Sequence, residues 1–201
     1  MNISGIILAG GKSSRMGTNK ALLDIDGIPL IERVARIIAP VCSEIIIAGG
    51  DEKTYGHTGY KIIPDIYPGC GPLSGIHAGL LSAKHFYSFV AACDIPYPNV
   101  QTIQLLTKSI EDYDVVMLSI QNHLEPLFSI YSKNFAAVAE TALKQGIYKI
   151  IDLIPLTRWK TFELQTSDMI FDQQKNLMNA NTPEDFKKAK EYSRINRRLR
   201  Q

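Results

Sequence analysis

The chain has 201 residues, 45% hydrophobic and 21% charged, with a formal net charge of +2; that balance excludes a disordered, collagen-like or coiled-coil chain and fits one domain with a substantial core. No apolar run reaches the roughly 18 residues that span a bilayer, and the opening Met1-Asn2-Ile3-Ser4 lacks the basic start and long apolar stretch of a secretory signal. Three cysteines, Cys42, Cys70 and Cys93, form no CxxC pair and are odd in number, which argues against a disulfide framework or zinc knuckle and suits a reducing cytoplasm.

Apolar runs alternate with amphipathic stretches along the whole chain. Strands are expected at residues 3–8, 44–48, 61–63, 88–92, 114–120 and 127–131, because continuous β-branched runs of that length suit strands covered on both faces. Helices are expected at 29–39, 72–84, 99–111 and 133–145. That alternation predicts an α/β fold with a mostly parallel sheet. Near the end, Thr182-Pro183-Glu184-Asp185 supplies a capping hydroxyl, Pro at the first helical position and acids in the first turn, so a last helix should run from about 183 to 193. Between Lys187 and Arg200 stand seven basic residues and one acid, Glu191. The rest of the chain is therefore mildly acidic, and 194–201 reads as a basic tail after a domain over 1–193. Such a tail can meet an acidic partner, but a solvated helix end is the plainer explanation.

The most informative stretch follows the first strand directly: Leu8-Ala9-Gly10-Gly11-Lys12-Ser13-Ser14-Arg15-Met16-Gly17-Thr18-Asn19-Lys20. Ligands of open α/β sheets bind at the carboxyl ends of strands. Paired glycines let backbone N–H groups approach a phosphate or flat base, and Lys12, Arg15 and Lys20 place three cations within nine residues. A polyanion is the natural ligand. This is no Walker A loop, because Gly11-Lys12-Ser13 would need glycine where Ile6 stands, and the spacing of Gly10, Gly11 and Gly17 does not fit Gly-x-Gly-x-x-Gly.

This loop resembles that of the nucleotidyltransferases that build the molybdenum cofactor, the MobA-like molybdenum cofactor guanylyltransferase family. Three further segments resemble the family in the same order: Gly71-Pro72-Leu73-Ser74-Gly75, Cys93-Asp94-Ile95-Pro96 and Asn179-Ala180-Asn181-Thr182-Pro183-Glu184. Together they cover about residues 3 to 190. The resemblance implies a single Rossmann-like α/β nucleotidyltransferase domain, with a mostly parallel mixed sheet and helices on both faces. It also implies Mg2+, GTP and a phosphorylated pterin (molybdopterin or the molybdenum cofactor) as reacting parties, with cofactor-delivery or acceptor enzymes as possible partners and neither nucleic acid nor membrane. Where the family commonly reads Ile-x-Ala-Asn, this chain reads Ile47-Ala48-Gly49-Gly50, so one side-chain contact is missing or supplied by backbone.

The expected site follows residue by residue. Asp94, after the buried run Phe89 to Cys93, is placed to hold Mg2+ against phosphate oxygens, although a carboxylate there could instead cap the next helix. Lys20 and Arg15 would offset charge on the triphosphate and the departing pyrophosphate. Leu8, Ala9, Gly10 and Gly11 would bring backbone to the nucleotide, with Gly10 leaving room for a purine where an alanine methyl would project. The resemblance assigns Asp65 to the nucleotide, with a turn-forming role as the alternative. Gly71 and Gly75 precede or open an amphipathic helix and could face base or ribose, although Gly75 and Gly79 could equally be packing glycines. Asn179 and Asn181 could bond the acceptor or brace the phosphate-binding elements. Glu125 is a second candidate near the acceptor. Cys93 reads as core, His77, His85 and His123 lack metal-ligand spacing, and Tyr148, Trp159, Phe162 and Phe171 read as packing. A cytidylyltransferase, whose loop usually reads Leu-Ala-Ala-Gly, and a non-catalytic nucleotide-binding adaptor are the rival expectations.

Overall fold

A computed structural model of the protein describes residues 1–10, 19–164, 180 and 182–198. In chain order the elements are β1 (Ser4–Leu8), β2 (Asp24–Ile25), β3 (Ile28–Pro29), α1 (Leu30–Ile38), β4 (Glu44–Ala48), α2 (Glu52–Tyr55), β5 (Lys61–Ile63), α3 (Pro72–Ser82) and β6 (Tyr87–Ala92). Then follow α4 (Val100–Lys108), β7 (Val115–Ile120), β8 (His123–Ser132), α5 (Asn134–Lys144), α6 (Ile150–Leu153), β9 (Trp159–Leu164) and α7 (Pro183–Arg198). Seven strands form one sheet in the order β5-β4-β1-β6-β8-β7-β9. All neighbours are parallel except β8, which runs against both β6 and β7. The sheet is thus mostly parallel and mixed, as expected.

Residue alternation distributes the core over both faces. Ile7, Ile45, Ile47, Phe89 and Ala91 point to one side, where Ile31, Val34 and Ile38 of α1 and Ile103 and Leu106 of α4 meet them. Ile6, Leu8, Ile46, Ala48 and Val90 point to the other, against Leu73, Ile76 and Leu80 of α3 and Phe135 and Ala139 of α5. Helix α3 comes close enough that a Cβ on Gly79 would stand 2.7 Å from Ile6 Cγ2, and one on Gly75 2.9 Å from Leu8 Cδ2. These are close-packing glycines.

Three differences from expectation have clear causes. Strand β9 is an edge strand whose residues alternate in exposure, and a continuous apolar run is the mark of central strands only. The hairpin β2–β3 turns through Asp26 and Gly27, both at positive φ (56° and 76°), the geometry of a two-residue primed turn. Helix α7 continues to Arg198, so residues 194–198 are helix and not a separate tail; neither Gly nor Pro interrupts that run, and basic residues suit a helix C-terminus. The packing of Tyr148 and Trp159 is also less than expected, since they are 47% and 36% exposed, while Phe162 does pack on the core and Phe171 lies outside the described residues. Among the described residues no helix is long and apolar enough to cross a membrane.

Helix α7 is anchored by residues up to Ser193. Ala189 joins Ile25, Leu30 and Ala180 in a small core with Phe186 and Tyr97 against it. Tyr97 donates to the Ala189 carbonyl at 2.9 Å, Tyr192 meets the Tyr97 ring edge-on at 4.8 Å, and the Ser193 hydroxyl bonds the Asp26 carboxylate. Deleting residues 194–201 is therefore expected to leave the thermal midpoint and turnover unchanged; a large fall in kcat/KM on truncation would show that the end reaches the site.

One buried histidine sets a pH dependence. His77, on α3, is 1% exposed, packs on the Tyr67 ring at 5.5 Å, and has no hydrogen-bond partner for either ring nitrogen among the described residues. Burial pushes its pKa below the ordinary 6.5, so the fold favours the neutral ring. The unfolded chain takes up that proton first. The contribution is fully present above about pH 6.5 and is lost as pH falls through the depressed folded value. His77→Leu is expected to flatten the fall of the thermal midpoint between about pH 7 and 5, measured as the difference from the unaltered protein.

Candidate active site

The parallel register brings the chemistry together. Leu8 pairs with Ala48 on one side and Ala92 on the other, and Ala48 with Ile63. Strands β5, β4, β1 and β6 therefore end at one edge, and the residues that follow, Asp65, Gly49, Gly10 and Asp94, emerge beside one another. Beyond β1, β4 lies on one side and β6 on the other, which is the crevice where open α/β sheets bind ligands. A cavity of about 230 Å³ occupies it, lined by Leu8, Ala9 and Gly10, by Asn19, Lys20 and Ala21, by Ala92, Cys93 and Asp94, and by Pro72 and Leu127.

Asp94 stands at the cavity wall. Burial pushes its carboxyl above the ordinary range, and the Lys20 ammonium pulls it back down. It does not cap α4: Asn99 does, accepting from the Thr102 N–H at 2.9 Å. The Asp94 carbonyl instead accepts the Ala180 N–H at 2.8 Å, and Ala180 is fully buried against Ile25, Leu30 and Ala189. The segment between Asn179 and Asn181 is thereby pinned to the residue after Cys93. Lys20 opens a short 3-10 turn capped by Asn19, whose Oδ1 accepts the Ala21 N–H at 3.1 Å. A cation and a carboxylate thus face one cavity, an arrangement that suits charged oxygens bridged between them.

Behind Gly10 stands the backbone of Gly49. Gly49 has φ +78°, donates its N–H to the Ile63 carbonyl at 2.9 Å, and lies so near Gly10 that a Cβ on it would stand 3.0 Å from Gly10 N and Cα. Left-handed backbone favours glycine, which suits Gly49. The contact also corrects the expectation for Gly10. A methyl there would meet Gly49 O at 3.1 Å and Gly49 Cα at 3.3 Å, so it would press into the Gly49 backbone and not into open ligand space. Behind this seam lies Asp65, whose buried Oδ1 has no hydrogen-bond partner among the described residues; burial raises its pKa and a Ser74 hydrogen bond opposes the rise.

The remaining expectations sort by position. Gly71 precedes α3 with φ +70°, and the next residue, Pro72, lines the cavity. Gly75 packs on Leu8, the second of its two readings, although a Cβ on it would also come within 3.7 Å of Asp65 Oδ1. Cys93 lines the cavity more openly than a core residue, but burial pushes its thiol up to about 12, so it is no nucleophile at neutral pH. Glu125, its pKa raised by burial, lies two residues before the cavity-lining Leu127. Gly11, Arg15, Asn179 and Asn181 lie outside the described residues. The sequence reading missed Asn19 as a cap, the Gly10–Gly49 seam and the Ala180 tie. Only the first had a signal, an Asn immediately before Lys20.

Comparison with known proteins shows the family. Residues 5–160 match the MobA-like NTP transferase domain, and the chain belongs to that family. A protein of Pelotomaculum thermopropionicum, named probable molybdenum cofactor guanylyltransferase, is 38% identical over 190 residues, covering 94% of this chain and 93% of its own. One of Carboxydothermus hydrogenoformans with the same name is 35% identical over 187 residues, covering 93% and 94%. The crystal structure of molybdopterin-guanine dinucleotide biosynthesis protein A from Archaeoglobus fulgidus superposes with a TM-score of 0.81 at 26% identity, over 96% of this chain and 100% of that one.

Proposed function

We propose that this nucleotidyltransferase moves GMP from GTP to the terminal phosphate of molybdopterin or the molybdenum cofactor. The observation that carries the reading is the convergence of Asp94, Lys20 and the Gly10 backbone in one cavity at the edge of β1 and β6, in a chain whose relatives bear the guanylyltransferase name. An oxygen of the acceptor phosphate forms a bond to the α-phosphorus of GTP, the bond to the bridging oxygen breaks, and pyrophosphate leaves. Such a transfer asks the protein for positioning and charge stabilisation and little covalent chemistry. Lys20, and Arg15 from the preceding segment, offset charge on the triphosphate and on the leaving group. Pinned by the Ala180 N–H on its own carbonyl, Asp94 keeps its carboxylate at the cavity.

The residues fit Mg2+. Asp94 presents a hard carboxylate at the cavity that Lys20 also lines. Magnesium is typically held by one or two carboxylates plus substrate phosphates and waters. Asp94 would hold it, and the ion would supply charge neutralisation at the phosphate oxygens. Glu125, Asn179 and Asn181 are the candidates for the acceptor side, and the dinucleotide product would pass to enzymes that use it.

A thermal-shift screen of the four nucleoside triphosphates with Mg2+, followed by pyrophosphate release with molybdopterin as acceptor, tests the reading. GTP is expected to stabilise most, by about 2.7 kcal/mol at a hundredfold excess over Kd, and to be the nucleotide consumed. The largest shift and turnover with CTP would favour a cytidylyltransferase, and binding without pyrophosphate an adaptor.

A further inference from the structure

The segment between β4 and β5 contains a side chain that reaches the nucleotide loop from outside it. Asp51 caps α2, its Oδ1 accepting the Thr54 N–H at 2.9 Å and its Oδ2 the Thr54 hydroxyl at 2.8 Å. That single turn presents Tyr55, which is 2% exposed. Its ring lies on Gly50 so closely that a Cβ there would stand 2.5 Å from Cδ2 and 2.7 Å from Cε2. The second glycine of the Gly49-Gly50 pair thus makes room for this ring. At its far end the hydroxyl accepts from Asn19 Nδ2 at 2.9 Å and donates to the Ala9 carbonyl over a longer 3.4 Å.

Ala9 and Asn19 flank residues 10–18, the stretch with the paired glycines and the cations. Each is also fixed on its other side. The Ala9 N–H donates to the Ala48 carbonyl at 2.8 Å, and Asn19 Oδ1 is taken by the Ala21 N–H. One buried hydroxyl therefore bonds the neighbour of Gly10 and the neighbour of Lys20. We propose that Tyr55 is a positioning residue for nucleotidyl transfer: its hydroxyl ties Ala9 to Asn19 and so holds the Gly10 backbone and Lys20 at the spacing a triphosphate requires. The proposal rests on the nucleotidyltransferase reading of the site. Holding two groups at the spacing a ligand requires lowers the entropy that binding must otherwise remove.

Tyr55→Phe in the full chain removes the hydroxyl and keeps the ring on Gly50. Asn19→Ser keeps a capping hydroxyl for the short turn but is too short to reach Tyr55. Both are compared with the unaltered protein in steady-state kinetics with GTP and acceptor, and in trypsin cleavage after Lys12 and Arg15. Each variant is expected to raise the KM for GTP about tenfold, equivalent to about 1.4 kcal/mol, with the KM for acceptor unchanged. Cleavage should accelerate by a similar factor while the thermal midpoint stays within a few degrees. Because both variants cut one link, the double variant should be no worse than either single one. Unchanged KM and cleavage, or an equal rise in both KM values with a collapsed midpoint, overturns the proposal. If the protein uses a nucleotide other than GTP, the cleavage comparison still decides: acceleration supports the tie and an unchanged rate removes it.

Discussion

Asp94→Asn is expected to lose at least about a hundredfold to a thousandfold of turnover, the range for removing one preorganised electrostatic partner of a reaction, while its thermal midpoint stays level or rises. The two halves of that expectation have one cause. Burial disfavours the ionised carboxylate in the ligand-free fold and raises its pKa, with Lys20 opposing only in part. A raised carboxyl pKa contributes stability below its unfolded value of about 3.8, and that contribution is lost as pH rises through the folded value. At neutral pH the charge therefore works against the empty fold, and an amide of the same shape relieves it. The backbone is untouched, because the bond from Ala180 ends on the carbonyl and not on the carboxylate. Melting curves at about pH 8 and about pH 4 should show the variant's advantage shrinking at the lower pH. Normal Mg2+-dependent turnover in this variant would remove the metal role from Asp94. Lost turnover with a strongly lowered midpoint would mean that the side chain serves the fold.

The parts of this molecule that were legible in the sequence are those set by local chemistry. Central strands announce themselves because both their faces are covered, so Ile3 to Leu8 and Phe89 to Ala92 read as apolar runs. The glycine and lysine loop and Asp94 were legible as types of residue at the right ends of strands. Contacts between distant segments were not. Nothing in Gly49-Gly50 says that one glycine presses on Gly10 and the other on Tyr55, since both facts depend on how β4 lies beside β1. Ala180 looks like a spacer between two asparagines until its N–H is seen on Asp94. Strand β9 was hidden by its edge position. The hairpin was not hidden in that way: Asp26-Gly27 is a turn signal in its own right, and only the shortness of the flanking strands, two residues each, concealed it.

The choice of base is the second large effect. GTP is expected to exceed CTP by at least about tenfold in kcat/KM, which corresponds to about 1.4 kcal/mol. Guanine presents two adjacent donors, N1–H and N2–H, whereas cytosine turns N3 and O2 acceptors to the same side. Leu8, Ala9 and Gly10 line the cavity, where backbone carbonyls can accept from those donors. A site built on such bonds rejects a base that leaves its polar groups unpaired, at about 1–3 kcal/mol each. Gly10→Ala should erode the preference chiefly by weakening GTP. The reason is the seam: the new methyl would meet Gly49 O at 3.1 Å and Cα at 3.3 Å, and Gly49 cannot easily withdraw while its N–H is held by Ile63. The Gly10 backbone must then shift by a few tenths of an ångström, and small misplacements of positioning groups are costly in rate. Side-by-side kinetics with GTP and CTP decide the matter. Equal use of CTP by the unaltered protein would end the guanine assignment, and a Gly10→Ala variant that kept full GTP activity would show that the seam plays no part in selecting the base.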